Sequence, residues 1–367
     1  MKKKKWGVGI IGAGGWGGLA HAPALKVLET YEAKAVTGTR LESAQRAAEL
    51  LGVERYYIDA SEMARQSDID IAAVTVKVPE HDRLIRAVLE AGKHVYCEWP
   101  LARTTAEAEE LLVLAKERGV QHIVGLQARA NSNVRYMREL VADGHIGQVL
   151  AVNIAVTLPV FPTTNGVVDQ AHVYLLDASN GANQLTVGAA HILDAVEYMV
   201  APFIEVSAAL AVQYPDVTVL ETGETVQADA PDHVLISGKL EGGALVAAQI
   251  VNGGALGFTL RVIGTNGELV ITPRDGLMFQ MDRLNLSYVS PSGEAEILEA
   301  PEPDVSLVSW DTLPGPGYHV AHQYIALSKQ LAGETAELPD FAQAVRLHRL
   351  MDAIRQASQT GIRQAVE

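Results

Sequence analysis

Six residues near the start of the chain, Gly12-Ala13-Gly14-Gly15-Trp16-Gly17, carry glycine at the first, third and sixth positions. They follow a short apolar run, Gly7–Gly12, and open a stretch with helical patterning, Trp16–Leu28. In a strand–turn–helix setting each glycine has a use. Gly12 admits the tight turn, Gly14 lets the backbone approach a pyrophosphate, and Gly17 lets the helix pack on the strand. The helix N-terminus then favours the phosphate charge. Gly15 and Trp16 complete the turn, and the whole points to a dinucleotide site. The next apolar run ends Thr37-Gly38-Thr39-Arg40, starting about 20 residues after Gly17, where a carboxylate would bond the ribose 2′-hydroxyl of NAD. No Asp or Glu lies between Glu32 and Glu42. The Thr39 hydroxyl and the Arg40 guanidinium suit a 2′-phosphate instead, so NADP is expected in preference to NAD. A solvated surface cation is the other use open to Arg40.

His191 and Asp194 lie three apart in the periodic run Leu185–Val200, which sets them on one helix face. An imidazole gives or takes a proton near neutral pH, so His191 is a candidate general acid/base, with Asp194 orienting it or bonding substrate. The alternative is a histidine satisfied by backbone, with Asp194 in solvent. Lys77 follows the apolar run Ile69–Val76, at the edge of a parallel sheet where ligands bind. It could supply an amine to chemistry, hold a cofactor phosphate, or be a solvated loop residue. His172, Tyr174, Tyr318 and His322 fall in segments able to border a cleft, although such residues also pack with a satisfied polar tip. The sequence has no HExxH pattern, and His319 with His322 alone makes no ligand set, so no metal is expected.

The elements that must position these groups can be read from periodicity. Ala33–Thr37, Ile69–Val76, His94–Cys97 and Val120–Leu126 read as strands, alternating with helices Glu42–Leu51, Glu80–Ala91 and Thr104–Arg118. The last helix is announced by the capping box Thr104-Thr105-Ala106-Glu107 and closed by Gly119. Alternation of this kind implies a doubly wound parallel sheet. After about Gln127 the pattern changes. A helix Asn133–Ala142, a strand Val149–Thr157 and the helix Leu185–Val200 lead into strands Val206–Val212, His233–Leu240, Leu245–Val251, Phe258–Ile263, Glu268–Ile271 and Leu286–Val289. Short connections such as Asn252-Gly253-Gly254 suggest antiparallel neighbours. Helices Tyr318–Leu331 and Phe341–Ser358 close the chain. The expected architecture is an N-terminal Rossmann NAD(P)-binding domain, residues 1–127, followed by an α+β domain, residues 128–367, with a large mostly antiparallel sheet. The second domain would bind substrate and, through its open sheet face, a second copy of the chain, giving a dimer or tetramer.

Composition sets the outer limits. The chain has 367 residues, 48% hydrophobic and 20% charged, with 29 Lys+Arg against 44 Asp+Glu and a formal net charge of −15. That length exceeds an ordinary single core, and the acid excess argues against a nucleic-acid or anionic-membrane binder. The lone cysteine, Cys97, excludes an intrachain disulfide and a Cys-rich zinc module, and a cytoplasmic protein is expected. Lys2–Lys5 precedes an apolar run of only Val8–Ile11, short for a signal core of about 7–15 residues. The uncharged stretches Val149–Val168 and Gly242–Leu260 are interrupted by Pro159 and Pro162 or by glycines, and read as strands rather than membrane spans.

Four stretches in order, Val8–Gly17, Ala91–Leu101 (AGKHVYCEWPL), Gly125–Asn131 (GLQARAN) and His191–Asp194 (HILD), resemble the Gfo/Idh/MocA oxidoreductases over essentially the whole chain. The resemblance implies a Rossmann domain with a sheet domain, a nicotinamide cofactor and a sugar- or polyol-like substrate. It also implies that His81 lies near the cofactor, and it assigns Glu98, Trp99 and Gln127 to the cofactor site. The family's Glu-Lys-Pro motif falls on Glu98-Trp99-Pro100, so the lysine that handles the reacting hydroxyl is replaced by a side chain with no titratable group. Val187 stands where the family often has an aspartate four residues before the motif histidine, leaving His191 to move the proton. Glu98-Trp99, the segment Gly223–Gly238 with Pro231-Asp232-His233, and Gly315–Tyr318 resemble a narrower branch, that of the fungal galactose-regulon repressor. That branch binds NADP and regulates. Two functions follow: an oxidoreductase with atypical proton transfer, or a catalytically silent sensor of NADP or sugar acting through protein contacts.

Overall fold

The computed structural model describes residues 5–158, 161–274, 276, 278–301 and 308–366. The basic run Lys2–Lys5 therefore lies outside the described residues except at Lys5. The chain folds as two compact units, one formed by Met1–Ala130 with Pro303–Val345, the other by Asn131–Glu302 with Arg346–Glu367.

In the first unit, strand β1 (Trp6–Ile11) leads through a wide π turn (Gly17–His21) into helix α1 (Ala22–Val27). Strand β2 (Tyr31–Thr37), α2 (Leu41–Leu51), β3 (Arg55–Tyr57), α3 (Ala60–Ala64), β4 (Ile71–Val74), α4 (His81–Glu90), β5 (His94–Glu98), α5 (Thr105–Arg118) and β6 (His122–Gly125) follow. The six strands form one parallel sheet in the order β3-β2-β1-β4-β5-β6. This is the doubly wound order, with its switch point between β1 and β4. Gly52 and Gly119 close α2 and α5 in the left-handed conformation that glycine adopts most readily. Thr104 caps α5 by accepting from the Glu107 amide, whereas the Glu107 carboxylate takes the Arg103 amide and guanidinium. Half of the expected capping box is present; the other half has moved one residue outward.

The second unit opens with α6 (Ser132–Ala142), β7 (Val149–Thr157) and β8 (Val167–Val168), then α7 (Ala190–Met199), entered through a second wide turn at Gln184–Ala189. Strands β9 (Phe203–Ala211), β10 (Asp216–Val219), β11 (Thr225–Gln227), β12 (His233–Leu240), β13 (Leu245–Val251), β14 (Gly257–Gly264), β15 (Gly267–Pro273), β16 (Leu284–Val289) and β17 (Ala295–Leu298) come next. Helix α8 (Pro316–Leu331) returns to the first unit; α9 (Phe341–Thr360) and β18 (Gln364–Ala365) end the chain. Nine strands pair in the order β17-β16-β15-β14-β7-β13-β12-β9-β18, all antiparallel except β13 with β7. The expected β13–β14 hairpin is thus not formed. The connection 252–256 is long enough to cross one strand spacing, and β7, with Val152, Ile154 and Val156 buried, fills the gap. A small sheet β11-β10-β8, absent from the sequence expectations, covers its own apolar cluster of Val168, Leu176, Val217 and Val219.

Alternation sets the two faces of the large sheet. Val246, Ala248 and Ile250 on β13 and Val234 and Ile236 on β12 are buried, while Leu235, Ser237, Leu245, Ala247, Gln249, Asn153 and Ala155 are exposed. Among the described residues, no helix is long and apolar enough to cross a membrane.

Candidate functional site

The glycine turn sits where β1 meets the first helix, and its geometry explains the residue types. Gly12 has φ +89°, and a Cβ there would come within 2.5 Å of Val76 Cγ1. A Cβ on Gly17 would come within 2.2 Å of the Gly12 carbonyl oxygen, so the helix can approach the strand only if Gly17 is bare. Thr75 ties the turn down by donating to the carbonyls of Ile11 and Gly12. Gly14 and Gly15 are exposed, with nothing within 4 Å of an added Cβ. This bare backbone at a helix start is the surface a pyrophosphate needs, so the residues fit a dinucleotide. Trp16, half-buried, packs against the apolar core of this unit.

At the end of β2, Gly38 allows a tight entry to α2, because a Cβ there would lie 2.7 Å from the Ala44 nitrogen. Thr39 and Arg40 are consequently presented to solvent. Ser43 Oγ accepts from the Arg40 amide and donates to its carbonyl, fixing the Arg40 backbone. The Arg40 guanidinium has no ion pair among the described residues, which leaves it available to an anion.

The other half of the sheet edge holds Lys77, His81, Glu98, Trp99 and Gln127. Lys77 is exposed at the start of the turn Val78–Glu80. His81 is buried, its Nδ1 2.8 Å from the Pro100 carbonyl and its Nε2 3.0 Å from the Val76 carbonyl. A neutral ring can donate to only one of these, and burial, outweighing both carbonyls, pushes the imidazole pKa down. The ring sits between the Val76 and Pro100 carbonyls, and Pro100 follows Trp99 through a cis peptide. Trp99 is itself buried. Cys97 is an interior strand residue whose thiol pKa is raised by burial and by the Glu98 charge.

Glu98 ends β5, and its carboxylate is held on both oxygens. Oε1 lies 2.7 Å from His21 Nε2, and Oε2 accepts from Gln127 Nε2 at 2.6 Å. His21 Nδ1 lies 2.9 Å from the Tyr324 hydroxyl. A carboxylate only accepts, so His21 Nε2 donates to Glu98, while its Nδ1 faces the Tyr324 hydroxyl. Tyr31 donates to the Tyr324 carbonyl at 2.7 Å, and Tyr96 donates to Gln323 Oε1. Burial raises the pKa of Tyr31, Tyr96 and Tyr324, so all three remain neutral donors. Even Gly125 belongs to the arrangement, since a Cβ there would meet the Glu98 carboxylate at 2.4 Å. Sequence reasoning assigned Glu98 and Gln127 but missed His21, Gly125, Tyr96, Gln323 and Tyr324. The available signal was Glu98 itself: a carboxylate ending the buried run Val95–Cys97 requires a donor.

In the second unit, His191 and Asp194 both lie on α7 and both are buried, Asp194 at 0% exposure. The alternative of a solvated Asp194 is thereby excluded. Asn183 caps the entry to this helix, accepting from the amides of Leu185 and Thr186. The C-terminal end of α7 is anchored by Glu197, which accepts from Arg346 and from the Phe203 amide. His172 is exposed and pairs with Asp169 at 2.7 Å; Tyr174 is half-buried. Tyr318, His319 and His322 are buried on α8 in the first unit, where the Tyr318 ring meets those of His319, His322 and Trp310 edge-on. Among the described residues, no group of three or more His, Cys, Asp or Glu is placed to hold a metal.

Residues 6–126 match the oxidoreductase family with an NAD-binding Rossmann fold, Gfo/Idh/MocA, and residues 132–273 match the C-terminal domain of Gal80p. The chain belongs to the Gfo/Idh/MocA family, in its Gal80-like branch. Dehydrogenase aclE of Aspergillus oryzae is 35% identical over 58% of this chain and 58% of its own length. The galactose/lactose metabolism regulatory protein GAL80 of Kluyveromyces lactis is 26% identical over 72% of this chain and 62% of its own. The chain thus spans about three fifths of these curated relatives, 58% and 62%. The structure of levoglucosan dehydrogenase in complex with NADH and L-sorbose superposes with a TM-score of 0.85, covering 99% of both chains at 21% identity, a likeness of fold.

Proposed function

We propose that the protein is a nicotinamide-dependent oxidoreductase, favouring NADP over NAD, that acts on a sugar- or polyol-like alcohol or carbonyl in the cytoplasm. The observation that carries this reading is the glycine turn, built residue by residue for a dinucleotide at the carboxyl edge of a 3-2-1-4-5-6 sheet. A dehydrogenase among the relatives, and a fold neighbour complexed with NADH and L-sorbose, support it.

A bound nicotinamide supplies or accepts the hydride. Gly12, Gly14, Gly15, Trp16 and Gly17 hold the pyrophosphate, and Thr39 with Arg40 holds the 2′-phosphate. Lys77, His81, Glu98, Trp99 and Gln127 shape the end of the site beyond the switch point. His191 takes the hydroxyl proton when the alcohol is oxidised and returns it in the reverse direction, with Asp194 orienting the ring. Trp99 offers an apolar wall where an amine would otherwise stand. The exposed face of the nine-stranded sheet, with small and apolar residues at Leu235, Ala247, Ala155 and Leu245, joins copies into a dimer or larger oligomer. A monomer in sedimentation analysis overturns that part.

The test is absorbance of the reduced nicotinamide with NADP or NADPH and a panel of sugars and polyols. Turnover is expected, and His191→Ala should lower it about 10²–10⁴-fold. Tight cofactor binding with no turnover on any substrate would instead favour a regulatory protein. That second reading is supported by Trp99 and Val187, which replace two proton-handling groups, and by the match to the Gal80p C-terminal domain.

A further inference from the structure

The clamp on Glu98 is more elaborate than a strand end requires. The carboxylate is gripped by side chains from three separate segments: His21 from the turn that follows the glycine motif, Gln127 after β6, and, through His21, Tyr324 from α8. A bare backbone at Gly125 leaves it room. His21 has no exposure to solvent and cannot touch a ligand, whereas the Glu98 side chain retains 12%. In a doubly wound sheet the dinucleotide crosses the switch point, with its adenosine half over β1 and β2 and its nicotinamide half on the side of β4, β5 and β6. Glu98 ends β5 and so lies on the nicotinamide side.

We propose that His21, held in turn by Tyr324, is a positioning residue that fixes the Glu98 carboxylate for the nicotinamide half of the cofactor. This rests on the cofactor reading given above. The physical argument is directional. With Nε2–H facing Oε1 and Nδ1 occupied by the Tyr324 hydroxyl, the ring can neither rotate nor change tautomer without losing one of two buried hydrogen bonds. Glu98 therefore has one orientation, set from behind by a residue that never meets the ligand. The carboxylate in turn joins the segment carrying the phosphate turn to the ends of β5 and β6.

The experiment compares binding of NADPH with binding of adenosine 2′,5′-bisphosphate, which lacks the nicotinamide and its ribose, by titration calorimetry. The pair is measured for the wild-type chain and for His21→Phe, which keeps an aromatic ring against Tyr96 and Tyr324 but removes both nitrogens. His21→Phe should weaken NADPH about tenfold and leave the fragment within about twofold, since the adenosine half does not reach Glu98. General damage to the unit would weaken both equally, and that outcome overturns the proposal, as does unchanged NADPH affinity. Tyr324→Phe, which removes only the hydroxyl, serves if His21→Phe does not fold. It should weaken NADPH about threefold and spare the fragment; no selective loss overturns the proposal. A wild-type chain binding neither NADPH nor NADH would overturn the cofactor reading itself, and this inference with it.

Discussion

Arg40 is the residue on which cofactor choice turns. It stands exposed at the end of β2, its backbone held by Ser43, in a loop without a carboxylate. A charge-assisted bond to a 2′-phosphate contributes about 1.5–3 kcal/mol, so Arg40→Ala should raise the NADPH dissociation constant tenfold or more. NADH, which has nothing for the guanidinium to grip, should shift by less than about twofold; equal losses for both would remove Arg40 from selection. The contrast between Arg40 and His21 shows what a sequence can reveal at this scale. Arg40 is legible because it follows a recognisable strand at a fixed distance from the glycine turn. His21 is not, because its partners Glu98 and Tyr324 lie 77 and 303 residues away and only the fold brings them together.

At the scale of elements, periodicity located most strands and helices, but not the short β3, α3, β17 and β18, which span only two to five residues. It failed where pairing depends on reach rather than pattern. β13 and β14 read as a hairpin but are separated by β7, and the two- to four-residue strands of the small sheet carry too few alternations to register. Helix α7, which carries His191 and Asp194, shows how an element is held in place. The side chain of Glu197 near its end is 3% exposed and is paired with Arg346, with oxygen–nitrogen distances of 2.9 and 3.1 Å. Removing one partner of a buried pair leaves the other charge uncompensated. Arg346→Met should therefore cost about 3 kcal/mol in urea unfolding, the lower end of the usual range because Arg346 is partly exposed. The double variant with Glu197→Gln should recover most of it. A single-variant loss below about 1 kcal/mol would show that α7 is anchored by packing alone.

At the scale of the whole molecule, buried imidazoles set the response to acid. His348 on α9 is buried, and desolvation, aided by the Arg355 charge, lowers its pKa from 6.5 to about 3. His81 is shifted in the same direction. Between those two values the unfolded chain binds protons that the folded chain does not, so stability declines as pH falls from about 6.5 towards 3. At pH 5 the His348 contribution alone reaches about 2 kcal/mol. The urea midpoint should drop from pH 7 to pH 5, and His348→Asn should flatten that slope; a midpoint independent of pH would contradict the assignment.

The first unit takes its last helix from far down the chain. Val8, Ile10 and Tyr96 share one core with Val320, Tyr324 and Leu327 of α8, so residues 1–130 lack part of the interior they need. During synthesis the nascent sheet must wait for nearly two hundred further residues, roughly ten to forty seconds at ordinary elongation rates. Through that interval its apolar face is a surface for chaperones. A fragment cut at the apparent end of the dinucleotide-binding sequence would carry the same exposed face permanently.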